Sequence, residues 1–166
     1  MAENTKTASK LSLPSDVEIV GSRIMDAPPE LVFKAYTDPE LIPEWWGPRR
    51  YTTTVDKMDV RPGGAWRFIH RAADGGQHAF NGVYREVLPP KRLVFTFNYE
   101  GAPGHEVVET VTFEGVEDGK TKMTDHMLFD SRAARDGMLN SGMEEGGTES
   151  IERLVELLRQ LKSRQR

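Results

Sequence analysis

One stretch near the C-terminus, Ser141 to Leu161 (SGMEEGGTESIERLVELLRQL), carries the apolar period of a long helix, whereas most of the chain from Tyr51 to Phe129 alternates with a period of two. A chain with many strands and one long amphipathic helix has few ways to bury its apolar surface. The sheet's apolar face must be covered, and this helix is the element available to cover it. With Leu154 at the centre of a helical wheel, Met143, Gly147, Ser150, Ile151, Leu158 and Leu161 fall on its side, and Glu145, Glu149, Glu152, Glu156 and Arg159 fall opposite. Ser141 and Glu144 have capping-box spacing, which predicts a helix start there. The inward face is uneven: leucines and isoleucine fill its C-terminal half, while Gly147 and Ser150, with Gly146 beside them, occupy its N-terminal half. Each glycine inside a helix costs about 1 kcal/mol relative to alanine. That cost points either to close packing against a strand or to the floor of a ligand cavity.

At 166 residues the chain is long enough for one domain with a real core. A net charge of −4 gives no pull toward nucleic acid, and the absence of cysteine excludes disulfides and thiolate metal sites. No run approaches the roughly 20 apolar residues of a membrane span, and the N-terminus lacks the apolar core of a signal peptide. A cytoplasmic protein is expected, with residues 1–14 a disordered polar tail and 15–166 a single domain.

Val17 to Met25 reads as a strand, stopped by Asp26-Ala27-Pro28-Pro29. Glu30 to Tyr36 reads as a short helix, with proline at its start, and Asp38-Pro39-Glu40 opens a second that ends at Trp45-Trp46-Gly47-Pro48. Strands follow over Tyr51–Met58, Ala65–Ala72, Gln77–Leu88, Arg92–Tyr99, Glu106–Glu114 and Lys120–Phe129, separated by Gly- and Pro-rich turns. Gly82 suggests a bulge, and Ser131 to Met138 a helical turn or two before the long helix. Consecutive strands with short turns imply one antiparallel meander curling around the helix. The fold class is therefore α+β, with about seven strands.

Several motifs in this order resemble one family. They are Ala27-Pro28 with Val32-Phe33, Asp38-Pro39-Glu40, Trp45-Trp46-Gly47-Pro48, Arg61-Pro62-Gly63-Gly64-Ala65-Trp66, Asp74-Gly75, Gly82-Val83-Tyr84-Arg85-Glu86-Val87, Pro90, Arg92-Leu93-Val94-Phe95-Thr96, Thr121 and Gly142-Met143-Glu144-Glu145-Gly146. Together, over Val17 to Leu161, they resemble the START-like, or SRPBCC, superfamily, within it the bacterial branch named after activator of heat-shock-protein-90 ATPase homologues. The resemblance implies a helix-grip (Bet v-like) fold, a curved antiparallel sheet holding the C-terminal helix over a deep cavity. Members of the superfamily bind lipids, polyketides and other apolar molecules, and some are cyclases or hydrolases. The chaperone-activating role belongs to eukaryotic proteins with an additional N-terminal domain. Only a short tail stands there in this sequence, so a chaperone partner is not expected.

The candidate cavity lining is Trp66, Phe68, His70, Phe80, Phe95, Phe97, Tyr99, Val111, Met123, Met127, Phe129, Met143 and Gly147, with Trp45 and Trp46 near the mouth. Such a mostly aromatic lining with methionines suits a small apolar or aromatic ligand. The same residues would serve equally as a packed core. Pairing Glu114 with Lys120 in the last hairpin sets Val111 opposite Met123 and Glu109 opposite Asp125, on the apolar face. Two carboxylates side by side in a poorly solvated site cannot both ionise easily, so one becomes a usable general acid or base. Catalytic candidates are therefore Glu109, Asp125 and His70, which points inward; His126 points away. A one-residue slip would turn both carboxylates to solvent, and at an open rim water or Arg23 would satisfy them.

No Gly-x-Ser-x-Gly, Walker or dinucleotide fingerprint occurs. No metal-ligand spacing signature joins Glu109, Asp125 and a histidine, and neither metal nor cofactor is expected. The reading is a binder of a small apolar or aromatic molecule without nucleic-acid or membrane partners. The alternative is an enzyme using an inward carboxylate or histidine. An exposed sheet edge leaves room for a homodimer.

Overall fold

The alternating segments form a single antiparallel sheet in the computed structural model, which describes residues 10–164. The strands are β1 (Lys10–Ser12), β2 (Glu18–Met25), β3 (Tyr51–Met58), β4 (Ala65–Ala72), β5 (Gln77–Leu88), β6 (Arg92–Tyr99), β7 (Val107–Val116) and β8 (Lys120–Leu128). Their order is β1-β2-β8-β7-β6-β5-β4-β3. The strands from β3 to β8 make the expected meander, and β2 closes onto β8 by a long-range pairing that brings Met25 opposite Thr121 and Glu18 opposite Leu128. The helices are α1 (Pro29–Thr37), α2 (Ile42–Trp45), α3 (Arg132–Leu139) and α4 (Met143–Arg164). The α+β helix-grip expectation holds, with eight strands rather than about seven. The extra one is β1, which pairs with β2 through Lys10 and Ser22. The tail expected over 1–14 is thus corrected at 10–12; its first nine residues lie outside the described ones.

Two local expectations are also corrected. Helix α4 begins at Met143, because Gly142 takes a left-handed φ of 84° and the Ser141 hydroxyl donates to the Met138 carbonyl instead of capping α4. The bulge in β5 falls between Tyr84 and Glu86, not at Gly82. Gly82 is required by proximity: a Cβ there would stand 1.8 Å from the Thr96 carbonyl oxygen and 2.5 Å from Trp66 Nε1.

Helix α1 opens with proline in its first turn, which loses no hydrogen bond there. It buries Leu31, Val32, Phe33 and Ala35. It touches β7, β8 and α4, while α2 touches the edge strand β3 and α4, so the helices link the middle of the sheet to its β3 edge. The C-terminal half of α4 closes the core with Leu154, Leu157, Leu158 and Leu161, all buried. Each fully buried leucine contributes about 1.5–3 kcal/mol. Among the described residues, no helix is long and apolar enough to cross a membrane.

Candidate ligand-binding site

The core is divided. A large cluster holds Met25, Leu93, Val111, Phe113, Met123 and the leucines of α4. A small one holds Ile19, Val107 and Phe129, with Met127, Met138 and Leu139 against it. The division runs across the inward face of three adjacent strands. Along β2 the inward row is Ile19, Gly21, Arg23, Met25; along β8 it is Met127, Asp125, Met123, Thr121; along β7 it is Val107, Glu109, Val111, Phe113. In each row the polar or missing side chain falls between the two apolar clusters. Gly21, Arg23, Asp125 and Glu109 thus make a polar belt inside the sheet, and all four are half-buried.

The expected register is corrected by two residues. Strand β7 runs on to Val116, opposite Lys120, before a tight turn over Glu117–Gly119 in which Asp118 has φ 63°. Glu109 therefore lies opposite Met127 and Asp125 opposite Val111. A shift of two preserves the face, because side chains alternate with period two. The carboxyls become diagonal neighbours on the inward face. Burial, and then the Asp125 charge, raise the Glu109 pKa well above the carboxylate range. Burial also raises that of Asp125, but the hydrogen bond from Glu109 opposes this. Glu109 is thus the group that holds the proton, beside the Asp125 carboxylate. The Tyr36 phenol is buried beside the pair: burial, then the charges of Asp125 and Glu109, hold it protonated. Two polar atoms of the belt, Arg23 Nε and Asp125 Oδ1, are shielded from solvent and lack a hydrogen-bond partner.

An aromatic wall adjoins the belt. Trp46 lies at its centre, with ring centroids 5.0 Å from Phe68, 5.2 Å from Phe80 and 6.3 Å from Trp66. Phe80 continues to Phe97 at 5.5 Å and to Tyr99 at 5.3 Å. The loop carrying Trp46 is fastened to α4. The Gly47 N–H donates to Ser150 Oγ (3.1 Å), Ser150 Oγ donates to the Trp45 carbonyl (3.0 Å), and Arg153 donates to the Gly47 carbonyl (2.8 Å). Arg49 pairs with Glu156 at 2.7 Å.

The N-terminal half of α4 overhangs open space. Gly147 is two turns from Leu154, at the middle of the inward face, yet it is exposed, and a Cβ built on it would meet nothing within 4 Å. Gly147→Ala should therefore raise stability by about 1 kcal/mol through helix propensity alone. Chemical denaturation would show it, and a loss of stability would mean that the helix lies closer to the sheet than described. Two shallow surface depressions of about 250 and 290 Å3 lie elsewhere, one bordered by Asp26, Val155 and Lys162, the other by Lys91, Thr112 and Glu114. Neither is lined by Glu109, Asp125 or the aromatic wall.

The residues singled out in the sequence sort into three groups. Trp46, Phe80, Phe95, Phe97, Tyr99, Met127, Glu109 and Asp125 are half-buried on the inward side, and Gly147 is exposed on α4. Trp66, Phe68, Val111, Met123 and Phe129 are buried in the clusters. Trp45 is corrected from the mouth to the core: it is 3% exposed and its indole N–H donates to the Ala35 carbonyl. The Met143 side chain lies outside the described residues.

His70 does not join the carboxyls. It sits on β4, with β5 and β6 between it and β7, stacked on Tyr51 at 5.1 Å and pressed against Gly47. Burial chiefly, then the charges of His78 and Arg153, depress its pKa to about 4. It is a neutral ring of the aromatic wall. Among the described residues, no three His, Asp or Glu side chains are grouped to hold a metal ion. His126 lies on the outer face, paired with Glu18 at 2.5 Å. Tyr36 and Gly21 are the members of the site that sequence reasoning missed. The break in the apolar row from Ile19 to Met25 was the available signal.

No curated protein matches the chain. Among solved structures, a Rhodobacter sphaeroides protein is 25% identical with a TM-score of 0.85, over 92% of this chain and 99% of its own. A Mycobacterium smegmatis protein is 25% identical with a TM-score of 0.80, over 92% and 96%. A Silicibacter pomeroyi protein titled AHSA1 is 23% identical with a TM-score of 0.71, over 86% and 97%, and speaks for the fold alone. The family model described as Activator of Hsp90 ATPase homolog 1-like protein matches residues 26–159. Most of the domain, from the turn after β2 into the last turns of α4, is thereby matched: the chain belongs to the Activator of Hsp90 ATPase homolog 1-like family of the START-like superfamily.

Proposed function

We propose that this protein binds a small apolar or aromatic molecule in the hollow between the curved sheet and the N-terminal half of α4. The observation that carries the reading is the exposure of Gly147 at the middle of the helix's inward face. A core-facing position with nothing beneath it leaves room, and the half-buried rings of Phe80, Phe95 and Phe97 supply apolar walls. Burial of such surface is worth roughly 25 cal/mol per Å2.

Native mass spectrometry of gently purified protein, set against its denatured mass, tests the reading. A discrete added mass that leaves on denaturation is the expected result. Gly147→Leu should fold and lose that mass, because its side chain projects into the hollow. Retention of the same molecule by a folded Gly147→Leu protein would remove the hollow as its site. A second reading is favoured by the shared proton of Glu109 and Asp125: the pair would act as general acid and base on the bound molecule. Glu109→Gln and Asp125→Asn should then abolish its turnover while leaving it bound, and unchanged turnover in both would end that reading.

A further inference from the structure

The polar belt contains an unused donor and an unused acceptor on one face. Arg23 Nε has no hydrogen-bond partner and no solvent contact, and the same is true of Asp125 Oδ1. Arg23 lies opposite Met123 on β8, two residues from Asp125, so the two side chains are diagonal neighbours. Such neighbours have Cα atoms about 7–8 Å apart. Among the described residues neither Arg23 Nε nor Asp125 Oδ1 meets a hydrogen-bond partner, the other included. Gly21, directly opposite Asp125, leaves the space beside the carboxylate free of a side chain, and a Cβ there would meet only the Lys10 carbonyl oxygen, at 3.8 Å. A buried polar group without a partner is costly, because it has given up its water without a replacement. Two of opposite kind, flanking a gap that opens on aromatic walls, are complementary to one group that accepts and donates at once.

We infer that the belt is a recognition subsite for a neutral hydroxyl, and that the ligand is a hydroxylated aromatic molecule. Its oxygen accepts from Arg23 Nε, and its proton is donated to Asp125 Oδ1, while its ring lies against Phe95 and Phe97. Charge selects the same class. Arg23 brings one positive charge and Asp125 one negative, and Glu109 keeps its proton. A ligand carboxylate would add an anion beside Asp125, and a ligand ammonium would add a cation beside Arg23. This inference rests on the proposed use of the hollow.

The test is a calorimetric titration of the unmodified full chain at pH 7 with naphthalene, 2-naphthol, 2-naphthoate and 2-naphthylmethylammonium. The expected ranking places 2-naphthol roughly tenfold tighter than naphthalene, the equivalent of about 1.4 kcal/mol for two net hydrogen bonds. Both ions should bind at least about tenfold weaker than 2-naphthol. Arg23→Met and Asp125→Leu should each cut the ratio of 2-naphthol to naphthalene affinity to less than about threefold. The ranking itself is read on the unmodified chain, so a variant that fails to fold does not remove the test. Equal binding of naphthalene and 2-naphthol would overturn the hydroxyl subsite and leave the hollow standing. Tightest binding of either ion would also overturn it. Failure of all four to bind would overturn the hollow and the subsite together.

Discussion

Trp66→Ala is expected to lower the unfolding free energy by about 3–5 kcal/mol, the range for removing a buried large aromatic side chain. Trp66 is 3% exposed, and its indole crosses the interior from β4 to β6, where its N–H donates to the Thr96 carbonyl at 3.2 Å. Its ring lies 4.8 Å from Phe68 and 6.0 Å from both Phe95 and Phe97. Truncation would leave a void inside the aromatic wall and an unpaired buried carbonyl, and the two losses have the same sign. Trp66→Phe keeps part of the packing and should cost less. Gly82 occupies the spot over which the indole passes, so Gly82→Ala should destabilise by about 1–3 kcal/mol through overpacking. Urea denaturation of the three variants checks the set. A Trp66→Ala loss below about 1 kcal/mol would mean that the wall tolerates the void or fills it.

Glu109→Gln is expected to reverse its effect on stability with pH. The folded-state pKa of Glu109 is raised above its unfolded value of 4.5. A raised carboxyl pKa means that the folded state holds the proton more tightly. The associated stability is fully present below pH 4.5 and is lost as pH rises through the folded pKa. Glutamine removes that loss while keeping a donor toward Asp125. The variant should therefore match or fall below the parent near pH 4.5 and gain on it as pH rises from there through the folded pKa. Tyr36 from α1 and Asp125 from β8 face this carboxyl, and neither is altered by the change. Thermal unfolding at intervals of pH across this rise supplies the check. Parallel curves for the two proteins would place Glu109 in contact with solvent.

Much of the sheet was legible because alternation is a local property. The limits of β3, β4, β5 and β6 fall where the sequence pattern put them. The inward direction of Glu109 and Asp125 was legible for the same reason: a period of two survives a register error of two. Their partners were not legible, because the turn at Glu117–Gly119 is tighter than its glycines and acidic residues require, and only the pairing with β8 shows how far β7 extends. Gly82 and Gly147 show the same boundary. Both are glycines inside regular elements, yet one is pressed against Thr96 and Trp66 and the other overhangs open space. Sequence spacing contains no term for what lies across a sheet or beneath a helix.

The sequence by itself determined the α+β class, the single covering helix, the family motifs and the set of apolar faces, since each follows from short-range periodicity and turn chemistry. Only the tertiary structure decided that Arg23, Tyr36, Glu109 and Asp125 share one interior while His70 stands three strands away. That grouping comes from the closure of β2 onto β8 and from the docking of α1, contacts between residues about a hundred positions apart that no local pattern encodes.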